Sequence, residues 1–329
     1  MTTRPFQAAR RTLLRRALLA TATAAVASPG ARAQTVPAKP IRLVIPLPPG
    51  GATDFIGRAL AQKVGAALGQ TVVVENKPGA NQMIGLMDVV RSPADGHSLV
   101  FCQSAIVLGQ LTSSNVQYDV NRDLTPVSLV CNSYAFFVAP SSNPARNLKE
   151  FIAWAGTQQG LSFGSTGLGS GTHVYGEMLN QRGGLKMTHV PYKGEAPVIP
   201  DLVSGRIQSG FLSGLTALQL AKEGKIRILA SIGPGRSPAA PQVPTFGEQG
   251  MLDLDGWYGV FAPRGVPAPI VERLSAEFDK AIKDPEIRDK MLTASLGPVG
   301  GKPKDFEIVL ARTRENWARV VKETGVRAE

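Results

Sequence analysis

The sequence predicts an α/β protein built on two mainly parallel sheets, each flanked by helices. Three observations predict it. Between residues 41 and 102, short apolar, β-branched runs alternate with segments whose apolar residues recur every four positions. A second alternation of the same kind runs from 126 to 232. Two loops poor in side-chain bulk, 46–54 and 163–173, each leave a strand and open a helix. That order belongs to parallel strands covered by helices on both faces.

Residues 41–45 form the first strand. Ile56, Leu60, Val64 and Leu68 then mark one face of a helix, with Gly69 placed as its C-cap glycine. Residues 71–74 make the second strand, 82–90 the second helix, 93–96 a Pro-Ala-Asp-Gly turn and 98–102 the third strand. Strand-like runs follow at 127–131 and 135–139, then a helix at 148–156. Residues 161–163 enter the second glycine loop, and 173–182 form the helix beyond it. A strand at 188–190, a helix at 198–204 and strands at 207–212 and 226–232 complete the second sheet. The proline-rich stretch 238–250 returns the chain to the first sheet, where 257–262 is a strand. Pro267 opens a helix that Asp284-Pro285 closes, and Pro303 opens the last, which ends near Gly325. The expected domains are 34–131 with 254–329, and 132–253, joined by two crossover segments.

The first 33 residues read as an export signal. Arg4, Arg10, Arg11, Arg15 and Arg16 form a basic start, 17–27 is apolar or small, and Ala31-Arg32-Ala33 is an A-x-A cleavage site. Arg10-Arg11 also fits a twin-arginine signal, and both export routes stay open. Setting aside the six arginines before Gln34 reduces the formal +11 to a net +5, from 30 basic and 25 acidic residues. These charges are dispersed and aromatics make up only 6% of the chain, which excludes a basic, aromatic-studded nucleic-acid surface. Beyond Ala33 no apolar stretch reaches membrane-spanning length. Cys102 and Cys131 fall in strand-like segments, where a disulfide and two buried thiols are both open.

The chemistry concentrates in the two loops. Residues 162–173, Ser-Phe-Gly-Ser-Thr-Gly-Leu-Gly-Ser-Gly-Thr-His, hold four glycines and five hydroxyl residues in twelve positions. Backbone N–H groups there are accessible, and a helix beginning near Thr172 adds its positive end, so the loop is a candidate anion nest. Pro46 to Asp54 repeats the character after the first strand. Two such loops far apart in sequence predict a cleft that grips a small anion with main-chain donors. Asp54 fits either a ligand contact or simple stabilisation of its own helix start.

Eight stretches together carry a resemblance: PLPPGGATD at 46–54, VVVENKPGA at 72–80, PADG at 93–96, YDVNRDLTPVSLV at 118–130, FGSTGLGSGTH at 163–173, HVPYKGEAPVIPDLVSG at 189–205, RSPAAPQVPTFGEQG at 236–250 and WYGVFAPRGVP at 257–267. In this order and spacing they resemble the Bug family of extracytoplasmic solute receptors, the binding components of tripartite tricarboxylate transporters. The resemblance implies a two-lobed periplasmic binding-protein fold of type II-like form that closes on a small carboxylate. The implied ligand is a di- or tricarboxylate, an amino acid or an aromatic acid, delivered from the periplasm to membrane permease subunits by a monomer that uses no cofactor and no metal. Carried over by position, the implied ligand-binding residues are Pro48, Gly50, Gly51 and Asp54 in the first loop and Ser165, Gly169, Ser170, Gly171, Thr172 and His173 in the second. The segment Tyr192 to Ala196, with Ala196 among the implied contacts, approaches from the same lobe as the second loop, and Ser104 and Trp257 are weaker candidates; Lys193 fits either anion steering or a solvated surface lysine. The chain departs from the family pattern twice. Asn81-Gln82-Met83 follow the PGA of 78–80 where members commonly carry glycines, which would narrow the cleft or alter a helix start. Neither Leu212 nor Ser213 is the acid that many members carry near there.

Two other readings stand beside this one: a ligand-presenting partner of a membrane sensor, and a secreted hydrolase using Ser170 with His173. The G-x-S-x-G elbow is absent, as are the G-x-x-x-x-G-K-[ST] and G-x-G-x-x-G phosphate loops. The two Cys and three His lack metal-ligand spacing.

Overall fold

A computed structural model describes residues 39–328 of the chain; the expected export signal and its cleavage site lie outside the described residues. The chain runs β1 (Ile41–Ile45), α1 (Ala52–Leu68), β2 (Val72–Asn76), α2 (Met83–Val90), β3 (Ser98–Gln103), α3 (Ala105–Thr112), α4 (Val120–Asp123) and β4 (Leu124–Ser133). It continues with β5 (Ala135–Pro140), α5 (Leu148–Ala155), β6 (Ser162–Ser165), α6 (Gly171–Gly183), β7 (Thr188–Pro191), α7 (Val198–Val203), β8 (Ser209–Ser213), α8 (Gly214–Lys222) and β9 (Ile226–Ile232). The last elements are β10 (Trp257–Pro263), α9 (Ala268–Lys283), α10 (Pro285–Thr293), β11 (Leu296–Pro298) and α11 (Pro303–Thr324). The four-residue period of α1 buries Ile56, Leu60 and Val64, and Gly69 ends the helix in the left-handed region at φ 65°.

The strands form two sheets, in the orders β11-β4-β10-β3-β1-β2 and β7-β6-β8-β5-β9. Both are mixed rather than mainly parallel. β1 is parallel to β2 and β3, and β6 to β7 and β8, as the strand–loop–helix units require. The strands that join the lobes enter against that direction. β10 is antiparallel to β3 and β4, and β5 is antiparallel to β8 and β9. Only Tyr134 separates β4 in one sheet from β5 in the other. The return crossover runs beside it, with Ser133 N–H donating to Gly256 O at 2.9 Å. A Cβ on Gly256 would lie 2.9 Å from Ser133 O, so the close approach of the two crossovers requires glycine there.

Two apolar layers cover the first sheet. Ile56, Leu60, Leu99, Phe101, Leu274 and Phe278 build one, and Leu86, Val100, Trp257, Phe261 and Phe306 the other. Cys131 lies in the first layer and Cys102 in the second, and both are free thiols. β10 separates their strands, with Cys102 opposite Gly259 and Cys131 opposite Tyr258. Two strand spacings of about 4.8 Å put them beyond the roughly 7 Å that a disulfide spans.

Helix α11 serves both lobes. Phe306 packs with Trp257 and Phe261, while Trp317, Val320 and Val321 enter the second lobe's core with Phe137, Phe163, Phe211 and Phe246. Helices α3, α4 and α8 and strand β11 have no counterpart in the sequence-based expectations. Replacing Gly256 with Ala is expected to cost about 1–3 kcal/mol through overpacking of the crossovers. Urea unfolding measures this, and an unchanged midpoint would contradict the steric account.

Candidate functional site

Helices α3, α6 and α8 begin at one hollow between the lobes, and α2 reaches it with its N-cap, Gln82. Its volume is about 410 Å³, and Ser104 and Ala105 at the start of α3, Ser170 to Thr172 at the start of α6 and Ser213 at the start of α8 all line it. The first-turn N–H groups of a helix have no carbonyl of their own to meet. They also carry the positive end of the helix dipole. No Lys, Arg or His lines the hollow. The donors it offers to an anion are peptide N–H groups, hydroxyls and amides.

The second-lobe loop is braced from within. Thr172 Oγ1 accepts Thr166 N–H at 2.9 Å, and Ser170 Oγ donates to Gly167 O at 2.7 Å while accepting His173 N–H. Gly169, at φ 66°, donates its N–H to His173 Nδ1 at 3.1 Å. A Cβ on Gly169 would lie 2.8 Å from Ala328 Cα, so the last described residues close under the loop. The His173 and His189 rings stack 3.7 Å apart, and Ser165 Oγ lies 2.6 Å from His189 Nε2. Burial pushes both imidazoles down, and His173 beside it helps bring His189 to about 4. Neutral rings are what these contacts need, since His173 Nδ1 accepts a hydrogen bond.

The hollow gathers five of the expected site residues: Ser104, Gly169, Ser170, Gly171 and Thr172. The others lie outside its wall. Pro48, Gly50 and Gly51 are exposed, and only Leu47 of the first loop reaches the hollow. Asp54 explains why. Burial opposes its charge, but hydrogen bonds from Arg58, Gly50 N–H and Asn76 outweigh it and hold the carboxyl below its ordinary range. The first loop's donor is thus used inside the lobe. Ser165 is fully buried beneath the second loop and His173 braces it. Ala196 and Lys193 are exposed, whereas the neighbouring Glu195 lines the hollow. Trp257 is core, its Nε1 donating to Thr313 Oγ1 at 3.0 Å. The Ser170–His173 pair of the hydrolase reading is not assembled, because the ring nitrogen and the hydroxyl bond different loop groups.

Residues outside the expected set also line the wall, among them Asn81, Gln82, Gln103, Tyr175, Tyr258 and Trp317. Ala80, Asn81 and Gln82 are consecutive left-handed residues, with φ 45°, 48° and 73°. At the 81–83 departure, Asn81 and Gln82 line the hollow and Gln82 is the N-cap of α2. Gln82 Oε1 accepts Gln103 N–H at 3.2 Å, which fixes the end of β3. Burial pushes the Tyr258 hydroxyl up to about 12, leaving it a neutral donor. Where the sequence lacks an acid at Ser213, the structure brings one: Glu195 accepts from both Ser213 N–H and its hydroxyl.

The sequence matches the tripartite tricarboxylate transporter family receptor over residues 56–326. The chain belongs to this family. It is 32% identical to protein BugT of Bordetella pertussis, over 93% of this chain and 95% of that one. The periplasmic binding protein BugD superposes with a TM-score of 0.73 at 28% identity, covering 89% of this chain and 100% of that one. R. palustris Rpa4515 with adipate superposes with a TM-score of 0.77 at 29% identity, over 88% and 99%. MatC from Rhodopseudomonas palustris with bound malate gives 0.73 at 26%, over 87% and 99%. The fold is therefore the two-lobed form of periplasmic solute-binding receptors.

The histidine pair gives a pH dependence. The folded pKa values lie below the unfolded value of about 6.5, so the folded protein binds fewer protons than the unfolded chain below that pH. The stabilisation is full above about pH 6.5 and is lost as pH falls towards 4. Between pH 7 and 4.5 the urea midpoint is expected to drop more in the wild type than in His189→Gln. Equal drops would show that the rings do not contribute.

Proposed function

We propose that this receptor captures a small carboxylate in the interlobe hollow, outside the cytoplasmic membrane, and as a monomer hands it to the membrane subunits of a tripartite tricarboxylate-type transporter. One observation carries the reading: helix starts from both lobes meet in a hollow whose walls hold no cationic side chain. A carboxylate meeting preorganised N–H donors gains charge-assisted hydrogen bonds without ordering a long Arg or Lys. Each is worth about 1.5–3 kcal/mol, so three or four suit micromolar binding near −8 kcal/mol. Family neighbours crystallised with adipate and malate support a carboxylate as the cargo.

A thermal-shift screen of di- and tricarboxylates, amino acids and aromatic acids tests the reading. A true ligand at 100 times its Kd adds about 2.7 kcal/mol, which raises Tm by several degrees. Melting unchanged by every such acid would contradict it. A Cβ on Gly171 would stand 3.4 Å from the Trp317 ring and 3.9 Å from Leu108. A methyl fits there, and the added bulk of valine would take up room at the hollow's wall, which Gly171, Leu108 and Trp317 all line, so Gly171→Val is expected to lose the ligand shift while keeping a native circular dichroism spectrum. Full retention of the shift would remove this helix start from the site.

A further inference from the structure

We propose that Glu195 selects the ligand by charge, and that the ligand is a carboxylate bearing a cationic amino group rather than a second carboxylate. The inference rests on the reading of the hollow as a carboxylate site and names its substrate class.

Of the three helix starts, the one at α8 is already occupied by the protein's own anion. Both Glu195 oxygens are held there: Oε2 accepts Ser213 N–H and Oε1 accepts the Ser213 hydroxyl at 2.9 Å. The backbone that delivers Glu195 is fixed as well. Tyr192 N–H donates to Ser165 O at 3.0 Å, Gly194 N–H to Thr166 O at 3.1 Å and Val198 N–H to Glu195 O at 3.0 Å. The carboxylate is therefore a built part of the wall, anchored beside the second-lobe loop.

The other acid on the wall is treated differently. Asp255 is buried and receives two hydrogen bonds from Arg312, at 2.8 and 3.2 Å, which neutralise it. Glu195 forms no ion pair with a Lys or Arg among the described residues, and neutral donors alone hold it.

Two consequences follow. A ligand carboxylate has the starts of α3 and α6 to bind, because α8 is filled. A second carboxylate at the Glu195 end meets a like charge with no cation to offset it, which disfavours the charged pair. An ammonium at the same place gains a charge-assisted hydrogen bond from a carboxylate oxygen that still has a free lone pair.

Matched ligands of equal span test this by calorimetry: 4-aminobutyrate against succinate, 5-aminovalerate against glutarate, and 4-(aminomethyl)benzoate against terephthalate. The wild type is expected to bind the amino member of a pair at least tenfold more tightly. In Glu195→Gln the order reverses, with the dicarboxylate gaining at least tenfold, while the ligand-free melting temperature and circular dichroism spectrum stay those of the wild type. The wild-type preference needs no variant, so a misfolded Glu195→Gln leaves the test intact. Dicarboxylates bound as tightly as their amino partners by the wild type, or the same preference in a folded Glu195→Gln, overturn the inference and leave the carboxylate receptor standing. Absence of binding by every acid, these and the wider screen, overturns both.

Discussion

The architecture depends on a feature of every α-helix: its first N–H groups have no partner within the helix. Three such helix starts meet in one hollow, and the wall there offers them little in exchange. Ser170 caps α6 by accepting from His173 N–H, two residues beyond the first turn's opening N–H. Ser104 at α3 and Ser213 at α8 make no side-chain cap to their own helices. At α8 the demand is met by Glu195. At α3 and α6 the proposed ligand carboxylate would answer it, with no need of lysine or arginine.

Everything beneath the second loop serves to hold those donors in place. The stacked imidazoles, the Thr166–Thr172 and Ser170–Gly167 hydrogen bonds and the approach of Ala328 to Gly169 form a single support. Ser165 and His173 belong to that support. The first loop took the other course. Its sequence resembles a nest, yet Asp54 turns inward and takes the Gly50 N–H for the lobe's own use. The first lobe meets the ligand space instead through the end of β3, through Asn81 and Gln82, and through Tyr258 on β10.

Much of the fold was legible because it is written in local periodicity. The strand at 41–45 and the strand at 226–232 have the bounds read from their apolar runs, and Gly69 and Gly325 end their helices in the left-handed region as helix-terminal glycines do. Helix α3 escaped because Ile106, Val107 and Leu108 are consecutive and all buried, which erases the polar face that marks a helix. The antiparallel entry of β5 and β10 escaped because strand direction is decided by how the chain crosses between lobes, not by either strand's composition. In the site, Gly169 to Thr172 were readable as a loop opening a helix. The approach of the segment 192–196 was expected from the resemblance, but the role of Glu195 within it was not legible, since it depends on Ser213, eighteen residues away, and on a contact that only the folded second sheet creates. Asp54 was read with both of its roles open, and its hydrogen bonds to Arg58, Gly50 and Asn76 account for the structural one.

The most direct measurement is of the donors themselves. With the protein carrying nitrogen-15 at glycine, titration with a bound acid reports each glycine amide separately by NMR. The account predicts a large downfield displacement of the Gly171 resonance, with Gly50 and Gly51 nearly still. Displacement of Gly50 and Gly51 with Gly171 unmoved would contradict it.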